Sequence, residues 1–163
     1  MAKSPKDDMV EKLFEAIHAD NDGIIPKIVY SAQSSGMRQS DIFDGLQALD
    51  ANGDAPVHVA ARTASRAVLM ALAREGVDVL RRNLRGQTAL HIAAEEGRVD
   101  ITKALLNIGA NILQEDAQGR TALDIAKQRE FAEEAKLLVE FGGERPAASL
   151  SKTATATAPR PKT

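Results

Sequence analysis

In the first fifty residues, apolar side chains fall on helical spacings. Val10, Leu13, Phe14 and Ile17 form one stripe behind the acidic pair Asp7-Asp8, whose carboxylates favour a helix start. A second stripe, Ile24, Ile25, Ile28, Val29 and Ala32, runs around Pro26, a residue suited to a helix's first turn. Residues 31–49 then carry Ile42, Phe43, Leu46 and Leu49, enough apolar surface for a packed short helix or an extended finger. Residues 1–8 show no such pattern and are expected to be a flexible N-terminus.

From Asp50 onward the pattern is periodic. Segments opening at Asp50, Asn83 and Asp116 align without a gap at a period of 33 residues. Gly53, Gly86 and Gly119 fall in one column, as do Ala60, Ala93 and Ala126, then Leu72, Leu105 and Leu138, then Gly76, Gly109 and Gly142. Similar residues fill further columns: Val57, Leu90 and Leu123, and Val59, Ile92 and Ile125.

Each unit reads as turn, helix, turn, helix. The Asp or Asn and the Gly that open it, as in Asn83-Leu84-Arg85-Gly86, are hairpin-turn residues. Thr88 and Thr121 sit where a hydroxyl can accept a first-turn N–H, so they are expected N-caps. Leu90, Ile92, Ala93 and Ala94 follow in a short helix that Gly97 ends. Asp100 opens a second helix, where Ile101, Ala104, Leu105 and Ile108 share one face and Gly109 stops the run. A single unit of this kind cannot bury its own apolar face, so the units must stack.

This pattern resembles the ankyrin repeat over residues 50–143. The best match is Gly86-Gln87-Thr88-Ala89-Leu90-His91-Ile92-Ala93-Ala94, close to that family's G-x-T-P-L-H-x-A-A, and Gly76-Val77-Asp78 and Gly109-Ala110-Asn111 echo its G-A-D. Ala55 departs from the capping Thr, Ala89 and Ala122 from the Pro, and Asp124 stands where His58 and His91 stand; weaker individual caps are expected there. The resemblance implies an all-α fold, an ankyrin-type helical solenoid of stacked helix-turn-helix repeats with β-turn fingers. A repeat domain is expected over 9–143, divided into a degenerate N-terminal repeat with insert (9–49), repeats at 50–82 and 83–115, and a capping repeat at 116–143. In the cap, Glu134 takes the column of Val68 and Ile101, and with Glu133, Lys136 and Glu140 it is expected to give a wet outer face. Residues 144–163, rich in Ala, Thr, Pro and Lys, are expected to be a disordered tail.

Composition narrows the function. At 163 residues, 44% hydrophobic and 27% charged, the chain fits one folded domain with tails. It has no cysteine, which excludes disulfides, Cys-ligated zinc, iron–sulfur clusters and thiol catalysis. Aromatics at 3% leave almost no platform for stacking bases. Net charge is −3 over residues 1–49, −2 over 50–143 and +3 over 144–163, so no part is a strong polyanion binder. The start lacks the apolar run of a signal peptide, and no stretch approaches the length of about 18 apolar residues that spans a membrane. A cytoplasmic protein is expected.

Catalysis finds no candidate residues. His58 and His91 recur at the repeat period beside the turn, and the resemblance implies that they hydrogen-bond turn backbone. Asp20-Asn21-Asp22-Gly23 and Asp50-Ala51-Asn52-Gly53-Asp54 fail the ligand count of a calcium loop. Glu95 and Glu96, adjacent on a helix, point in different directions and read as solvated charges. No phosphate loop, nucleophile elbow or zinc motif is present, and no cofactor or small-molecule substrate is expected.

What remains is surface. The resemblance implies partner contacts at the turn tips and on the exposed side of each first helix, which line a concave face. Here those positions are Asn52, Asp54, Arg62, Arg82, Leu84, Arg85, Gln87, Glu95, Glu96, Gln118, Arg120, Gln128 and Arg129. The arginines make the face locally basic, and arginine is well suited to anchoring carboxylates; the alternative is that they only keep the surface soluble. The expected function is a non-enzymatic adaptor or inhibitor that binds another protein with an acidic surface. Electrostatic attachment to nucleic acid or anionic membrane through the tail and concave arginines is the second reading.

Overall fold

The computed structural model describes residues 2–142. Its helices are α1 (Pro5–His18), α2 (Ile25–Ser34), α3 (Gln39–Leu46), α4 (Pro56–Thr63), α5 (Arg66–Arg74), α6 (Ala89–Glu96), α7 (Val99–Asn107), α8 (Ala122–Gln128) and α9 (Ala132–Glu140), and among the described residues there is no strand. The tail expected over 144–163 lies outside the described residues.

The helices stack in two layers. The first helices of each unit, α1, α4, α6 and α8, pack side by side, and the second helices, α2, α5, α7 and α9, form the layer behind them. One continuous core runs between the layers from Met9, Leu13 and Ile17 through Leu69, Leu72, Leu90 and Ile92 to Ile125 and Leu138. The small Ala60, Ala93 and Ala126 are fully buried in the first-helix layer, where an alanine lets neighbouring backbones approach. The insert resolves as α3, which folds over α1 and α2 with Ile42 and Leu46 buried and Phe43 exposed. Gln47 at its end ties the insert to the loop after α5, donating to the Gly76 carbonyl at 3.4 Å and accepting the Asp78 N–H at 3.3 Å.

Two expectations are corrected. Residues 5–8, expected to be flexible, belong to α1: Ser4 caps it, its hydroxyl accepting the Asp7 N–H at 3.1 Å while the Asp7 carboxylate accepts the Ser4 N–H. The local Ser-Pro start and the box partner three residues on override the lack of apolar residues. Glu134 is not part of a wet outer face. It is 0% exposed, in the same buried column as Val68 and Ile101, and packs between α9 and α7 with Thr102 donating its hydroxyl to one carboxylate oxygen. Helix register decides this, because the column faces the core whatever residue fills it.

The turns repeat the same bonds. Asp50, Asn83 and Asp116 each accept two backbone N–H groups at one side-chain oxygen: from Asn52 and Asp54 at 2.8 and 2.9 Å, from Arg85 and Gln87 at 2.9 Å each, and from Gln118 and Arg120 at 2.9 Å each. Successive turns also join: Leu84 N–H donates to the Gly53 carbonyl at 3.2 Å, and Ala117 N–H to the Arg85 carbonyl at 3.4 Å. This close approach, with a φ of +80° and +71°, is why Gly53 and Gly86 carry no side chain. A Cβ would stand 2.6 Å from the Leu84 side chain in the first and 2.8 Å from the Ala117 nitrogen in the second.

Candidate functional site

The thirteen expected contact positions separate into exposed groups, buried supports and braces. Asn52, Leu84, Arg85, Glu96, Gln118, Gln128 and Arg129 are exposed, and Arg62, Glu95 and Arg120 are half-buried. Asp54 and Gln87 are buried, which removes them from direct partner contact and corrects the expectation. Both close their turns, the Asp54 N–H donating to Asp50 and the Gln87 N–H to Asn83, each at 2.9 Å. Arg82 is exposed but turned to the backbone, donating to the Gly86 carbonyl at 2.9 Å and the Glu115 carbonyl at 3.0 Å, so it fastens one turn to the next.

The structure brings Asn52, Arg62, Arg85, Glu95 and Glu96 together around an open groove of about 560 Å³, built from the first two periodic repeats. Asp54 lies beneath it. Its carboxylate accepts from Asn83 Nδ2 at 2.7 Å and Arg62 Nη1 at 2.7 Å, with Arg85 Nη2 at 3.8 Å. Burial opposes the Asp54 charge, but the bonds from Asn83 and Arg62 outweigh it and hold the carboxyl below its ordinary value.

A second cluster gathers Gln118, Arg120 and Gln128. Arg120 pairs with Asp116 through Nε at 3.0 Å and Nη2 at 2.8 Å, and also reaches Gln128 at 3.2 Å and Gln118 at 3.5 Å. Asp116 is held below its ordinary value because these bonds, led by those from Arg120, exceed the cost of burying it. Arg129 bonds Glu95, which also accepts from Gln87 Nε2 at 3.4 Å. The expected basic face is therefore largely self-neutralised: Arg62, Arg120 and Arg129 each hold a carboxylate of their own chain. Asp116 is the member that sequence reasoning missed, and its signal was available in an acid four residues before Arg120 in the turn column of Asp50 and Asn83.

His58 and His91 serve the turns. The Nδ1 of each accepts the N–H of its helix N-cap, Ala55 and Thr88, at 3.1 Å, and the Nε2–H donates to the next turn's carbonyl, Gln87 at 2.9 Å and Arg120 at 3.1 Å. Burial lowers both imidazoles below their ordinary value. Asp124, in the same column, keeps the box in another form, its carboxylate accepting the Thr121 N–H at 2.9 Å. The weaker cap expected at that position is replaced by a carboxylate cap.

Another groove of about 560 Å³ runs between α1 and α2, lined by Lys3, Met9, Lys12, Lys27, Ile28 and Met37 among others. Lys3, just before α1, pairs with Glu11, and Lys12 with Asp8.

Stacked turn-helix-helix units whose turn tips and first helices share one face define a helical repeat solenoid. The chain belongs to the ankyrin repeat family, whose model matches residues 2–116 as three copies. The match takes in the N-terminal pair with its insert and ends where the third periodic unit begins, although α8 and α9 stack on the same plan. No curated protein matches the chain. Ankyrin repeats are generally protein–protein interaction modules. Among the described residues, no helix is long and apolar enough to cross a membrane.

Proposed function

We propose that the chain is a non-enzymatic binding module, acting as an adaptor or an inhibitor, that receives a partner protein on the face shared by its turn tips and first helices. The observation that carries this is the groove between consecutive repeats, which sets Arg85 and Glu96 at its walls, with the exposed Leu84 preceding Arg85 on the same turn and lying over Gly53. Leu84 is 78% exposed on a turn whose backbone is hydrogen-bonded to the turns on both sides, so its apolar side chain is presented from a fixed backbone. An apolar contact on a preformed turn beside charged walls supports affinity because little loop freedom is lost on binding. An acidic group on the partner fits Arg85, whose side chain is more than half exposed. The neutralised state of Arg62, Arg120 and Arg129 favours a protein over a polyanion, since few cations remain to release counterions.

The test is affinity capture from the native cell with the wild-type chain and with Leu84→Asp. The wild type is expected to retain a protein that the variant loses while both unfold at the same temperature. Equal capture by the two would overturn the reading.

A further inference from the structure

The charges around the groove differ in how far they are already satisfied. Arg62 is committed to buried Asp54 at 2.7 Å. Glu95 is committed to Arg129 and Gln87. Two charges are left with only distant partners: Arg85, 3.8 Å from an Asp54 oxygen that Arg62 already holds, and Glu96, 4.0 Å from the Arg62 Nε. Their side chains are 57% and 45% exposed, and both line the same groove.

A ligand that met this groove with acid alone would gain at Arg85 and be repelled at Glu96. One that met it with base alone would have the reverse result. Complementary potentials fix register and exclude wrong partners more than they add affinity. We infer that the groove selects a peptide segment of mixed charge, with one carboxylate side chain placed at Arg85, one cationic side chain placed at Glu96, and an apolar side chain against Leu84. This rests on the concave-face reading above and narrows its acidic partner to a charge-paired one.

A phage-displayed library of random dodecapeptides, panned against the full chain, supplies the probe. A synthetic peptide of the enriched sequence is then titrated against the wild type, Arg85→Gln, Glu96→Gln and Leu84→Asp. The enriched peptides are expected to carry one acid and one base in a fixed order. Arg85→Gln is expected to weaken binding about tenfold, and to cost nothing further once the peptide's acid is replaced by Gln; Glu96→Gln is expected to couple to the peptide's base in the same way. Enriched peptides of a single sign, or of no charge, that lose binding on Leu84→Asp but ignore Glu96→Gln would overturn the mixed-charge inference and leave the concave face standing. Peptides indifferent to all three variants, or a library that yields no binder, would overturn both.

Discussion

Glu134 is the one fully buried carboxylate among the described residues whose second oxygen has no hydrogen-bond partner. Burial, with the nearby Asp100 charge adding to it, raises its pKa against the opposing bond from Thr102. Asp100 itself is 4.0 Å from Arg98 on the α7 side, and Glu133 and Lys136 flank the residue on α9. The neutral acid is the form the fold prefers, so its contribution is fully present below about pH 4.5 and is lost as pH rises through the raised folded value. Once ionised, the buried carboxylate costs the α7–α9 packing stability. Replacing both partners, Thr102→Val with Glu134→Ile, restores the apolar column and is expected to stabilise by about 1–3 kcal/mol at pH 7, read from urea unfolding. A loss of stability would show that the carboxylate is better satisfied than its surroundings indicate.

The histidines act in the opposite sense. His58 and His91 are neutral in the fold, with values lowered by burial, whereas the unfolded chain takes up protons below about pH 6.5. Their contribution is present above that pH and falls as the solution is acidified toward the folded values. The slope is at most about 1.4 kcal/mol per pH unit for each imidazole. His91→Gln is expected to be less stable than wild type at pH 7.5 and to show a shallower decline between pH 6.5 and 5. A parallel decline in the two proteins would remove His91 from the turn-bracing role.

At the scale of elements, α7 has the most central place in the outer layer, between α5 and α9. Leu105, 0% exposed, fills its core face, and Leu105→Ala is expected to cost about 2–5 kcal/mol. A cost below about 1 kcal/mol would mean that the layer does not stack as described. The turns have their own ranking. Arg120 holds buried Asp116 and Arg82 spans two turns, whereas Arg85 has only its long contact with Asp54. Arg120→Ala, which removes the guanidinium from Asp116 but leaves the backbone N–H groups of residues 118 and 120 bonded to it, is expected to cost about 1.5 kcal/mol, and Arg85→Ala to stay within about 0.5 kcal/mol. Equal costs, measured by thermal unfolding, would contradict this division of the arginines into braces and contacts.

For the molecule as a whole, the 33-residue period made the stacking legible, because each column of apolar residues implies a neighbour to cover it. Gly53 and Gly86 were readable because turn geometry depends on residues close in sequence, and the role of His91 came with the family resemblance. The Thr88 hydroxyl, expected to accept a first-turn N–H, meets His91 Nδ1 at 2.8 Å instead. The partition of the contact face was not readable. Whether Arg62 or Arg85 holds Asp54, or whether Asp54 is buried, depends on how one repeat settles on the next, and an expectation drawn from exposure at turn tips treated all thirteen positions alike. Glu134 misled for the opposite reason: its charge suggested a surface, while its helical register had already placed it inside.

The central claim is that the turn tips and first helices receive a partner. Hydrogen–deuterium exchange of the full chain, with and without the protein it captures, tests this most directly. The account predicts that binding slows exchange at residues 50–54, 83–87 and 93–98, leaving the outer layer of α2, α5, α7 and α9 unchanged. Protection confined to that outer layer, or to α3 around Phe43, would contradict it.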